Sequence, residues 1–127
     1  MRKEKFEIEY TFKKGSLSIL WNLISTPLGL SEWFADSVNS NENKYFFTWQ
    51  NHEQTANVLN IKNNLSICFQ WEEDERTDFY FELKIVTMEL SGDLALIVTD
   101  FAEPSEITDS KFFWDHLIEI LRRRTGM

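Results

Sequence analysis

Apolar and polar residues alternate near the start of the chain: Phe6, Ile8, Tyr10 and Phe12 face one way, and Glu7, Glu9, Thr11 and Lys13 the other. A period of two predicts a strand with one buried and one wet face. Lys14-Gly15 breaks the pattern, and Ser16 is placed to cap a helix. Leu17, Leu20, Trp21 and Ile24 then recur at helical spacing on one face. Thr26-Pro27 repeats a start signal, a capping hydroxyl followed by a proline whose missing N–H is harmless there. It predicts a second short helix over Leu28 to Ala35, carrying Trp33 and Phe34.

The period then returns to two. Lys44 to Gln50, Thr55 to Lys62 and Leu65 to Glu72 are rich in aromatic and β-branched residues and are separated by polar breaks, as in a meander of strands. In the third of these, Leu65, Ile67, Phe69 and Trp71 alternate with Ser66, Cys68, Gln70 and Glu72, which turns Cys68 outward. Asn63-Asn64 suits a tight turn, and Glu73 to Asp78 makes a charged hairpin tip, so the neighbours are antiparallel. Phe79, Phe81, Leu83 and Ile85 form the next strand, Ser91-Gly92-Asp93 turns the chain, and Leu94 to Phe101 forms the last. That makes six strands, with a very short seventh around Ser37 to Ser40. From Asp109 or Ser110 onward the period becomes helical. Phe113, Trp114, Leu117, Ile118, Ile120 and Leu121 cover an arc of about 160° at ~100° per residue, leaving Phe112 on the polar side.

Length and composition narrow the class. The 127 residues favour one domain covering 1–127, and 43% hydrophobic content with 19 aromatics describes a chain that folds on its own. A net charge of −8 opposes nucleic acid, whose binding depends on Lys and Arg displacing counterions. One cysteine closes no internal disulfide, the start lacks a secretory apolar stretch, and no run approaches a bilayer span, so the expected location is cytoplasmic. The order of strand, two short helices, antiparallel strands and a long helix describes an α+β domain whose last helix covers the sheet.

The segment Thr26-Pro27-Leu28-Gly29-Leu30-Ser31-Glu32-Trp33-Phe34-Ala35-Asp36, read with that element order, resembles the START-like or SRPBCC superfamily. The resemblance is to the branch containing homologues of the activator of a heat-shock ATPase. It implies the helix-grip fold: a curved antiparallel sheet of six to seven strands, in β-α-α-β-β-β-β-β-α order, wrapped on the C-terminal helix. It also implies a cavity between helix and sheet, which family members use for lipids, sterols, aromatic polyketides or plant hormones. Some members are enzymes, many are carriers, and others bind protein partners.

Candidate site residues follow from the inward positions. Phe47, Trp49, Phe69, Trp71, Phe81, Leu83, Trp114 and Leu117 form an aromatic lining that is either a ligand pocket or a close-packed core. Trp33 and Phe34 are either entrance residues or packed anchors. Asp100 faces inward if Leu94, Leu96 and Val98 do, and would then orient a polar head group; if Ala95, Ile97, Thr99 and Phe101 face inward, it lies at a wet strand end. His52, in the polar turn Gln50 to Gln54, and His116 have no His or Cys neighbour at ligand spacing, and no metal or cofactor is required. There is no Gly-x-Ser-x-Gly, phosphate loop or His-Glu-x-x-His helix. Arg122-Arg123-Arg124 complements the end of a helix, with Glu119 spaced to pair with Arg123, and the acidic tip Glu72 to Glu75 serves solubility. The leading expectation is a non-enzymatic module for a small apolar, aromatic or lipid-like ligand. The competing ones are a protein-interaction domain presenting Trp33-Phe34 or the acidic surface, and a cyclase- or hydratase-type enzyme using Asp100, Tyr10 or Tyr80.

Overall fold

Two hydroxyls organise the chain after strand β1 (Glu4–Phe12). Ser16 Oγ accepts from the Ile19 amide and starts α1 (Leu17–Ser25), and Thr26 Oγ1 accepts from the Gly29 amide and starts α2 (Pro27–Leu30). The computed structural model describes residues 2–127. The helix expected over Leu28 to Ala35 stops at Leu30, because the amides of Trp33, Phe34 and Ala35 all turn toward the Leu30 carbonyl. That tight turn buries three consecutive side chains, Trp33, Phe34 and Ala35, which the single apolar face of a helix does not do.

The sheet is fully antiparallel. It is built from β1, β2 (Ser37–Asn41), β3 (Lys44–Trp49), β4 (His52–Lys62), β5 (Ser66–Trp71), β6 (Phe81–Thr87) and β7 (Leu94–Ala102), in the order β1-β7-β6-β5-β4-β3-β2. The short segment after α2 is therefore a true edge strand. His52 pairs with Trp49 on the β3–β4 ladder instead of lying in a turn, and Gln50 supplies the left-handed residue that shortens the connection. Cys68 is half-buried on the face away from the helices, paired with Glu82. The acidic tip does more than meet solvent. Glu72–Asp74 forms a 3₁₀ turn in which Glu72 binds Lys44 at 3.0 Å and Asp74 approaches Lys3 at 3.9 Å.

A second 3₁₀ turn, Pro104–Glu106, runs directly into α3 (Ile107–Thr125), which therefore starts before Asp109, and no side-chain cap marks that start. Trp114, Leu117, Ile118 and Leu121 are buried against the same sheet face as Phe6, Phe12, Phe47, Phe69 and Leu83. Phe113 departs from the expected stripe: it is 53% exposed, and Phe112 is 75% exposed. At the far end Arg122 lies over the Phe12 ring and Arg124 reaches Glu32 at 4.0 Å, while no Glu119–Arg123 ion pair forms among the described residues. No helix is long and apolar enough to cross a membrane.

Candidate ligand-binding site

Side chains from β3, β5 and β6 meet in the middle of the helix-bearing face. Phe47, Phe69, Phe81 and Leu83 are buried to 2% or less. Phe34 enters this layer from the turn after α2, with its ring centroid 5.2 Å from Phe47, 5.8 Å from Phe81 and 5.6 Å from Trp114. Edge-to-face, tilted and stacked rings at these spacings are favourable packing. Trp33 is a packed anchor: it is 3% exposed, and its Nε1–H donates to the Leu23 carbonyl at 2.9 Å. Trp49 Nε1–H donates to the Phe34 carbonyl at 2.8 Å, so the turn is tied to both helix and sheet. Leu117 closes the layer from α3. The middle of the grip is therefore a solid aromatic core.

Toward one end the core opens. A cleft of about 630 Å³ lies between the sheet and the first half of α3. Trp49, Trp71, Phe81 and Phe34 form its inner walls, and Trp114 and Phe113 close it from the helix. Its polar groups are Asp100 on the sheet side, Gln54 on β4, and Glu106, Asp109 and Ser110 at the start of α3. Of the residues proposed from sequence, Phe34, Trp49, Trp71, Phe81, Asp100 and Trp114 come together here. Trp33, Phe47, Phe69, Leu83 and Leu117 support the walls from behind. Glu106, Asp109, Ser110 and Phe113 were not foreseen; their spacing of three and four residues places them beside Trp114 on one face, a signal that depends on knowing where α3 begins.

Asp100 faces inward with Leu96 and Val98, opposite Phe6 on β1, and not out at a wet strand end. Trp114 Nε1–H donates to its Oδ2 at 3.0 Å and the Phe101 amide to its Oδ1 at 2.7 Å. Burial raises the Asp100 carboxyl above its ordinary pKa; the two hydrogen bonds and nearby Lys3 oppose the rise, and Asp74 adds to it. Tyr10 and Tyr80 are elsewhere, bound to Asp115 and packed on Phe101 respectively. His52 and His116 are exposed, and no group of three potential metal ligands exists among the described residues.

An open antiparallel sheet holding a long C-terminal helix, with a cleft between them, defines the helix-grip class. The chain belongs to the START-like superfamily, whose domain matches residues 1–127. A Bacteroides fragilis protein of known solution structure, BfR322, is 41% identical over 100% of this chain and 94% of its own, with a TM-score of 0.72. The Aha1 dimer from Colwellia psychrerythraea is 15% identical (95% and 93% covered, TM-score 0.72), and CalU16 from Micromonospora echinospora is 13% identical (96% and 74% covered, TM-score 0.73). These last two share the fold. No match was found among curated proteins.

Proposed function

We propose that this protein is a binding module that holds a small molecule with an apolar or aromatic body in the cleft between α3 and the sheet. The observation that carries this reading is the cleft itself: about 630 Å³, walled by Trp49, Trp71, Phe81 and Trp114, with a few polar groups at fixed positions. That size and lining are typical of small-molecule sites. The ligand sits at the open end of the grip, in contact with Trp49, Trp71 and Asp100, while Phe47, Phe69, Leu83, Leu117 and Trp33 keep the walls rigid. The ionisable groups that line it are the carboxylates Asp100, Glu106 and Asp109, which suit holding a polar group on the ligand. A cytoplasmic setting agrees with a lone, unpaired Cys68. A protein partner would need a surface other than Trp33 and Phe34, because both are buried.

The test is a panel of naphthyl, sterol and fatty-acyl compounds, read by indole N–H signals in heteronuclear NMR and by native mass spectrometry. Binding that moves the Trp49 and Trp71 signals and weakens in Trp71→Ala supports the reading. A panel that leaves both indoles unmoved removes it.

A further inference from the structure

The cleft is unusual in its charge. Asp100, Glu106 and Asp109 line it, and no Lys, Arg or His does. Resting on the binding reading above, we infer that its ligand is an organic cation: an ammonium or substituted ammonium group on an apolar or aromatic body.

Three features of the walls fit that chemistry. The first is the set of π faces. Trp49 and Trp71 have centroids 6.0 Å apart and are inclined at 58°, and Phe81 stands 5.1 Å from Trp71, so the rings form a corner and not a flat stack. A cation is attracted within about 6 Å of such faces, and the attraction grows when water is excluded.

The second is Asp100. Its hydrogen-bond donors, the Trp114 indole and the Phe101 amide, are both neutral. The nearby cation, Lys3, forms its ion pair with Asp74. A largely buried carboxylate without an ion pair is costly, and burial accordingly holds its carboxyl above the ordinary range. A ligand cation at the cleft floor supplies the missing counter-charge.

The third is the start of α3. A helix N-terminus by itself favours anions, but Glu106 and Asp109 occupy that end, so an anionic ligand would meet two carboxylates there. The carboxylates do not converge into a metal-binding group among the described residues. Dispersed acids among aromatic faces suit a large, weakly hydrated cation better than a metal ion, which needs several oxygen ligands at close range.

The experiment compares three probes that share a naphthalene body and carry a cationic, a neutral or an anionic group: 1-naphthylmethylamine, 1-naphthalenemethanol and 1-naphthylacetate, titrated at pH 7 and 0.15 M NaCl with the Trp49 and Trp71 indole signals as readout. The amine is expected to bind about tenfold more tightly than the alcohol, and the carboxylate more weakly than either. The double variant Glu106→Gln/Asp109→Asn should reduce the preference, read as the ratio of amine to alcohol affinity in the same variant, to about threefold or less. A control with the same charge change outside the cleft, Glu89→Gln/Glu119→Gln, should keep the preference. Equal binding of amine and alcohol, or loss of the preference in the control, overturns the cation inference and leaves the binding reading standing. Silence from all three probes overturns the binding reading, and the cation inference with it.

Discussion

The hydroxyl of Tyr10 donates to Oδ1 of Asp115 at 2.6 Å, joining residues 105 positions apart. The bond ties the edge strand β1 to α3 on the side opposite the aromatic turn. With Arg122 over Phe12 it forms the other half of the clamp that seats the helix. Tyr10→Phe is therefore expected to cost about 1 kcal/mol at pH 7, measured by urea unfolding, because the bond is charge-assisted but partly open to solvent.

The same bond gives the fold an alkaline limit. Burial, followed by the Asp115 hydrogen bond and charge, raises the Tyr10 phenol above its ordinary range, and burial raises Tyr45, whose hydroxyl donates to the Ser25 carbonyl at 2.7 Å. A raised folded-state pKa contributes stability that is present in full below the unfolded value of 10.0 and is lost as pH climbs above it. Denaturation midpoints should fall above about pH 10. In Tyr10→Phe the fall should be shallower, and an unchanged slope would refute the linkage.

Asp100 gives a test of the same sign on the acid side. Its folded carboxyl is raised by burial, so the folded state holds its proton at pH values where the unfolded chain has lost it. Stability from this group is greatest below the unfolded pKa and declines as pH rises through the folded one. Relative to Asp100→Asn, the wild-type protein should be more stable at pH 4 than at pH 7, as read by thermal melts of both proteins; a pH-independent difference would contradict the assignment.

Phe34→Ala should cost about 3–5 kcal/mol in chemical unfolding, since the ring touches the Phe47, Phe81, Trp49 and Trp114 rings and its loss leaves a cavity. Because Phe34 also walls the cleft, the variant should admit bulkier ligands than the wild type. Phe34→Leu should fall between the two in stability.

Gly29 packs against the backbone of Asn22 and Leu23, where α1 and α2 meet, with no room for a Cβ. Gly29→Ala should destabilise by about 1–3 kcal/mol through forced separation of the two helices. Leu28→Ala, at an 81% exposed neighbour, should leave the melting temperature nearly unchanged.

Cys68 should be a slow thiol. Burial, with Glu82 beside it, pushes its pKa up to about 11. At pH 8 that leaves about 100-fold less thiolate than a pKa of 9.0 would, so alkylation by iodoacetamide should be slower by a similar factor and should quicken in Glu82→Gln.

Much of this architecture was legible from local pattern. The alternation Phe6-Ile8-Tyr10-Phe12, the caps at Ser16 and Thr26 and the helical stripe through Trp114, Leu117 and Leu121 each depend on backbone geometry within a few residues, so element type and the buried face could be read directly. Period two also put Asp100 on the face of Leu96 and Val98 as one of two readings, and the β1–β7 register chose between them.

Side-chain pattern alone determined most of the residues that turn toward the interior, Phe113 and Asp100 excepted, and, with the element order, that a sheet holds a terminal helix. Whether the space between them is filled was decided only in three dimensions. Phe34 plugs the grip because the turn after Leu30 delivers its ring between Phe47, Phe81 and Trp114. Phe113 stays open because α3 begins at Ile107 and runs past the cleft at that point. Periodicity records the direction in which a side chain leaves the backbone; the volume it meets there is set by rings arriving from distant parts of the chain, and no local spacing encodes their arrival.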